Sequence, residues 1–233
     1  MSTSSAPARE LPVMDDAVPS WKLLTTLTIA GAVAGLAVVF LYDATLPRIE
    51  AYKAGVLRAA VAEVLHAPAR ADTLWLANGA LTSTRPAEEQ ARRAERVYLG
   101  FDAAGRPSGY ALSVAEPGFS EQMHLLIGYD PAKHELLGMK VLESKETPGI
   151  ADDVQRPVFT GQFAGRIAPL VGIKAADRAR AASERSAVVM ITGATISSRA
   201  VLRGINRTIE HWQPYLEAYR PRESTAPATG GKN

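Results

Sequence analysis

The sequence contains no cysteine. That excludes disulfides, thiolate-held iron–sulfur clusters, Cys-based zinc sites and a thiol nucleophile. Histidine is scarce, with only His66, His124, His134 and His211. None of them shows a ligand spacing such as HxxxH, so no metal site is expected. An excess of charge of one sign is missing too: 26 Lys and Arg stand against 24 Asp and Glu, a net charge of +2. Nucleic-acid binding usually needs a concentrated basic face, so no nucleic-acid partner is expected. What remains is 233 residues, room for one ordinary domain and an additional segment.

The additional segment is visible near the N-terminus. Residues 1–21 are rich in Ser, Ala, Pro and acidic residues and read as a flexible tail. Leu23 to Leu41 then runs without a charged side chain, flanked by Trp21 and Tyr42. At 1.5 Å per residue this run covers roughly 28 Å, the thickness of a hydrocarbon core. The expectation is a transmembrane helix over 22–42. A cleaved signal peptide would need a shorter apolar run and a short basic leader, whereas this leader carries Glu10, Asp15 and Asp16. Arg9 and Lys22 precede the span and Arg48, Lys53 and Arg58 follow it, so charge alone does not orient it. Gly31-x-x-x-Gly35 is a spacing that admits a second helix, although glycine is common in membrane helices anyway.

Residues 44–66 carry an apolar stripe of Val56, Leu57, Ala60, Val61, Val64 and Leu65, which predicts a helix ended by Pro68. Residues 67–92 are Ala-rich and give no assignment, with Trp75, Leu76 and Leu81 as packing points. From Arg96 the pattern becomes short β-like runs: Arg96–Phe101, Ser108–Val114, Met123–Tyr129 and Leu136–Glu143. Close spacing predicts antiparallel hairpins. Residues 151–165 read as helical or irregular, with Val158, Phe159 and Phe163 as core contacts. Ile167–Ile173 and Ser186–Ile191 read as further strands, and Ala175–Arg185 as a solvated loop or short helix. Ile196–Trp212 is amphipathic, with Val201, Ile205, Ile209 and Trp212 on one face.

Chemistry concentrates in Ile191–Arg199, I-T-G-A-T-I-S-S-R. A strand meets the small residues Gly193 and Ala194, and a helix follows Thr195. Unpaired amides and the positive end of the helix dipole suit an anion there, most often a phosphate. Thr192, Thr195, Ser197 and Ser198 surround the position with hydroxyls. A plain N-cap, with a Thr or Ser closing the helix, explains the same residues without a ligand. A second segment, Glu146-Thr147-Pro148-Gly149, reads as an outward turn.

E-T-P-G at 146–149 together with T-G-A-T-I-S-S at 192–198 resembles the FMN-binding domain family. That family includes the G subunit of the Rnf electron transport complex and the C subunit of the sodium-pumping NADH:quinone oxidoreductase. Gly109-Tyr110, F-T-G-Q-F at 159–163, S-R-A-V at 198–201 and the single N-terminal span also resemble the pattern of the Rnf G subunit. The resemblance implies an α+β fold: one transmembrane helix, then a soluble FMN-binding domain with a mainly antiparallel sheet and flanking helices. It implies boundaries at 43–92 for a juxtamembrane helix and connecting region, 93–214 for the FMN-binding domain and 215–233 for a C-terminal tail.

It further implies FMN attached through its phosphate to Thr195. Thr192, Gly193, Ala194, Ser197 and Ser198 would lie around the phosphate, and Glu146, Thr147, Pro148 and Gly149 near the isoalloxazine. The implied partners are other membrane components of an electron transport complex and a flavin transferase. The implied location is a bacterial inner membrane with the soluble domain in the periplasm. The sequence departs from the family where an acidic residue usually stands six positions before the attachment Thr; here it is Val189. The segment Lys174–Ala187 is also longer and more charged, and an Asp130-Pro131 turn replaces one with Gly. Two other readings stay open: a flavin domain serving another periplasmic pathway as donor or regulator, and a non-redox assembly module on a decayed flavin fold.

Overall fold

The structure is a computed structural model that describes residues 19–91, 93–118, 122–143 and 152–221. It opens on one long helix, α1 (Ser20–Val64), which runs from the first of two compact units, residues 1–52, into the second, residues 53–233. In the first unit the helix is long and apolar enough to cross a membrane. Its side chains point outward unpacked: Leu27 is 75% and Phe40 77% exposed. The Thr hydroxyls on it donate back to the helix, Thr26 to the Lys22 carbonyl at 2.8 Å and Thr28 to Leu24 at 2.8 Å. That satisfies polar groups which lipid could not. Pro47 lies within the helix, past the apolar run.

In the second unit the end of α1 is buried at Ala60, Val61 and Val64. The helix stops before the expected proline. His66 and Ala67 take positive φ, and the Ala67 amide donates to the Ala62 carbonyl at 2.7 Å, a closure of the Schellman kind. The unassigned stretch after it is partly strand. β1 (Arg70–Ala77) and β2 (Ala80–Thr82) form a hairpin, turned by Asn78 and Gly79, both at positive φ. A one-turn helix, α2 (Glu88–Ala91), precedes β3 (Arg96–Phe101). Then come β4 (Pro107–Pro117), β5 (Gln122–Asp130) and β6 (Glu135–Glu143). All six pair antiparallel in the order β2-β1-β3-β4-β5-β6.

A 3₁₀ turn at Asp152–Gln155 leads to α3 (Pro157–Thr160). Phe159 and Phe163 are core, as expected, but Val158 is 80% exposed and is not a core contact. A four-residue helix has room to bury one side, and Phe159 takes it. β7 (Val171–Ile173), α4 (Arg178–Ser183) and β8 (Ala187–Val189) follow. The two strands are three residues each, shorter than the runs 167–173 and 186–191 expected of them. They pair parallel, Ile173 opposite Val189. Last comes α5 (Thr195–Ala218), which continues through Pro214 and beyond the 214 limit expected for the domain.

Alternation along β4 and β5 sends residues to opposite faces. Leu112, Val114, Met123, Leu125 and Ile127 join the core with Val201, Ile205 and Ile209 of α5. Ala111 and Leu126 face the other way, to Val61, Val64 and Leu65. Helices therefore cover both faces, and α5 carries the T-G-A-T end.

Candidate phosphate-anchoring turn

β8 ends at Val189, and three further residues reach the turn at Thr192 and Gly193. Gly193 has φ +88, and nothing lies within 4 Å of where a Cβ would stand. The left-handed backbone and the open space both suit glycine. Ala194 is the N-cap residue and makes no side-chain cap hydrogen bond. The N-cap alternative drawn from the sequence, a Thr or Ser closing the helix, is therefore not what the chain builds. The first-turn amides begin at Thr195 with no capping side chain, at the positive end of a 24-residue helix.

The turn is held from behind. The Ser198 hydroxyl donates to the Ala194 carbonyl at 2.9 Å and accepts from the Ile191 amide at 3.1 Å. It is fully buried, and both bonds are made within the turn. Ser197 is also buried, at 2% exposure. Thr192 and Gly193 are exposed, Ala194 is buried and Thr195 is half-buried. Thr192, Gly193, Ala194 and Thr195 thus share one turn, with Ser197 and Ser198 beneath it. Glu146, Thr147, Pro148 and Gly149 lie outside the described residues.

Two side-chain clamps that sequence reasoning did not assign hold the chain around β7 and β8. The Gln162 amide donates to the Val189 carbonyl at 3.2 Å and accepts from the Val189 amide at 3.0 Å. The Asn206 amide does the same for Leu170, at 3.0 and 2.7 Å. The F-T-G-Q-F segment contained the first; nothing local marked the second, because its partner is 36 residues away. Val189 itself is buried with Ile173, Ala181 and Ala187.

Along α5, Glu116 of β4 is buried, its side chain 4% exposed, and bridges two cations. Oε1 accepts from Arg203 at 3.2 Å and Oε2 from Arg207 at 3.0 Å. Gly204 lets strand and helix approach: a Cβ there would meet Val114 Cγ1 at 2.8 Å and Glu116 Cβ at 2.9 Å. Two open cavities, of about 460 and 690 Å³, lie toward the other end of α5, around Leu216 and Gln213. Neither is lined by a residue of the T-G-A-T turn.

Residues 118–210 match the model of the FMN-binding domain family. The G subunit of the ion-translocating oxidoreductase complex of Methanosarcina acetivorans is 25% identical over 198 residues, 85% of this chain and 97% of that protein. The corresponding G subunit of Pectobacterium atrosepticum is 30% identical over 172 residues, 72% of this chain and 74% of that one. The crystal structure of Shewanella oneidensis NqrC superposes with a TM-score of 0.61, covering 72% of this chain and all of that one at 18% identity, which establishes a shared fold. With the fold, the turn and these relatives in agreement, the chain belongs to the family of G subunits of ion-translocating oxidoreductase complexes and carries its FMN-binding domain.

Proposed function

We propose that this protein is a membrane-anchored electron-transfer flavoprotein, a subunit of an Rnf-type ion-translocating complex, with FMN esterified to Thr195. The observation that carries the reading is the uncapped N-terminus of α5, with Thr195 as its first residue behind Gly193 and Ala194. The donor set fits a phosphate: free first-turn amides, the dipole's positive end, and a bare glycine where the chain must leave room. The dipole favours the anion by on the order of 1 kcal/mol. The bound flavin supplies the redox chemistry; the protein supplies binding, orientation and electrostatics.

Attachment uses FAD as the donor and a flavin transferase as the catalyst. The Thr195 oxygen attacks the phosphorus on the riboflavin side of the pyrophosphate. A phosphoester forms to Thr195, the pyrophosphate P–O bond breaks, and AMP leaves. The threonine proton goes to solvent. Thr192 is a poorer candidate because it precedes Gly193 and Ala194 and so lies farther from the helix amides.

Residues 1–21 are assigned to the cytoplasm and 43–233 to the periplasm of the inner membrane. This assignment rests on the single apolar span and on the resemblance to the pattern of the Rnf G subunit. Gly31 and Gly35 have nothing within 4 Å of where a Cβ would stand, which leaves the span room for a helix from another member of the complex. An alkaline phosphatase fused at the C-terminus should be active; activity only from a cytoplasmic reporter at that end would reverse the topology.

The flavin test is co-expression with a flavin transferase, denaturation, and a gel under ultraviolet light. Wild type should fluoresce and gain the mass of FMN less one water. Thr195→Val keeps the shape, loses the nucleophilic oxygen, and should stay dark while still folding. A fluorescent Thr195→Val band would mean that another hydroxyl is used. A dark wild type would point to the non-redox reading, with Val189 the first position to restore to an acid.

A further inference from the structure

We infer that Arg199 is the positioning residue for the phosphodiester on Thr195. The inference rests on the reading that Thr195 carries FMN. Arg199 stands four residues after Thr195 on α5, one turn on and on the same face. Helical side chains lean toward the N-terminus, which directs Arg199 back along α5 toward Thr195.

Its neighbours on that helix explain why it is available. Arg203 and Arg207 are each tied to one oxygen of the buried Glu116 carboxylate. Those two arginines engage both Glu116 oxygens, and Arg199 makes no ion pair with Glu116. Arg199 is exposed and has no ion pair among the described residues. Of the three, the one without an acidic partner is the one a turn away from the esterified hydroxyl.

A phosphodiester keeps one negative charge and two non-bridging oxygens. A guanidinium presents paired N–H groups that match them, where lysine offers only a point charge. The first-turn amides of α5 and the Arg199 guanidinium would together hold the anion. That limits the swing of a flavin tethered by a flexible chain.

The test uses the full chain, flavinylated by a co-expressed transferase and purified in detergent. Phosphorus NMR reads the ester directly, and early time points read the loading rate. In Arg199→Ala the ester resonance should move and lose its salt dependence. Loading should slow about fivefold, as expected for one partly exposed charge-assisted hydrogen bond. Arg199→Lys should restore the rate in part, and Arg203→Ala should leave the resonance where wild type has it. A structural role for Arg199 would change the melting temperature and not the resonance. If Arg199→Ala matches wild type in resonance and rate while both bands fluoresce, the inference fails and the Thr195 ester stands. A dark wild-type band overturns the ester and this inference together.

Discussion

The two faces of the six-stranded sheet hold their helices by different means. On one face α1 lies on missing side chains. A Cβ on Gly128 would fall on the Val64 carbonyl oxygen, and one on Gly100 would come within 2.9 Å of Leu65 Cδ1. On the other face α5 lies on bulk, with Leu112, Val114 and Ile127 against Val201 and Ile205, and adds the Glu116 bridge and the Asn206 clamp. The first contact combines backbone clearance at Gly128 with a small apolar cluster around Leu126 and the Glu63–Lys140 ion pair. The second combines a larger apolar core with clearance at Gly204 and buried polar ties to Glu116.

This difference can be broken with one methyl group on each side. Gly128→Ala puts a carbon against main-chain atoms of α1, and a helix end must shift. Overpacking of that kind should cost about 3 kcal/mol. The melting temperature in detergent should fall by roughly 10 °C. Gly204→Ala brings its Cβ to 2.8 Å from Val114 Cγ1 and 2.9 Å from Glu116 Cβ, so β4 and α5 must part slightly, a cost that the gain of up to about 1 kcal/mol of helix propensity over glycine offsets in part. Its melting temperature should fall by about 5 °C, less than that of Gly128→Ala. Equal losses in the two variants would show that both faces are equally strict.

A smaller effect sharpens the α5 side. Burial pushes the Tyr110 phenol up to about 12 from its ordinary 10.0, with Tyr219 adding to the rise and Arg220 opposing it. The unfolded chain releases this proton near pH 10 while the folded chain keeps it. The contribution is therefore complete below pH 10 and is lost as pH rises through about 12. Melting temperature should decline between those values, and Tyr110→Phe should flatten the decline. An unchanged slope would place the alkaline sensitivity elsewhere.

Sequence periodicity made much of this legible. The three-and-four spacing at Val56–Leu65 and the alternation from Arg96 to Glu143 are local signals, and both elements exist. The β1–β2 hairpin escapes such a reading because Arg70–Ala77 buries only Leu74 and Trp75 and has few β-branched residues. Asn78-Gly79, a two-residue turn of the kind that joins hairpins, is the sign that would have found it. The parallel pairing of β7 with β8 has no local mark, since it is made across α4. At the turn, Gly193 and Thr195 could be read from the strand-to-helix change. The use of the Ser198 hydroxyl could not, because a buried back-bond and a ligand contact ask for the same residue type.

The Gln162 clamp has a consequence for association. In the parallel pair the Met190 amide donates to Ile173, so Val189 turns its own amide and carbonyl to the outer side of β8. An unpaired outer side is a template on which a strand from another chain can add. Here the Ala187 amide is taken by Glu184, both groups of Val189 by Gln162, and the Ile191 amide by Ser198. Among the described residues the outer side of β8 is thus closed by a backbone turn and two side chains in place of a third strand, which disfavours strand addition along that side.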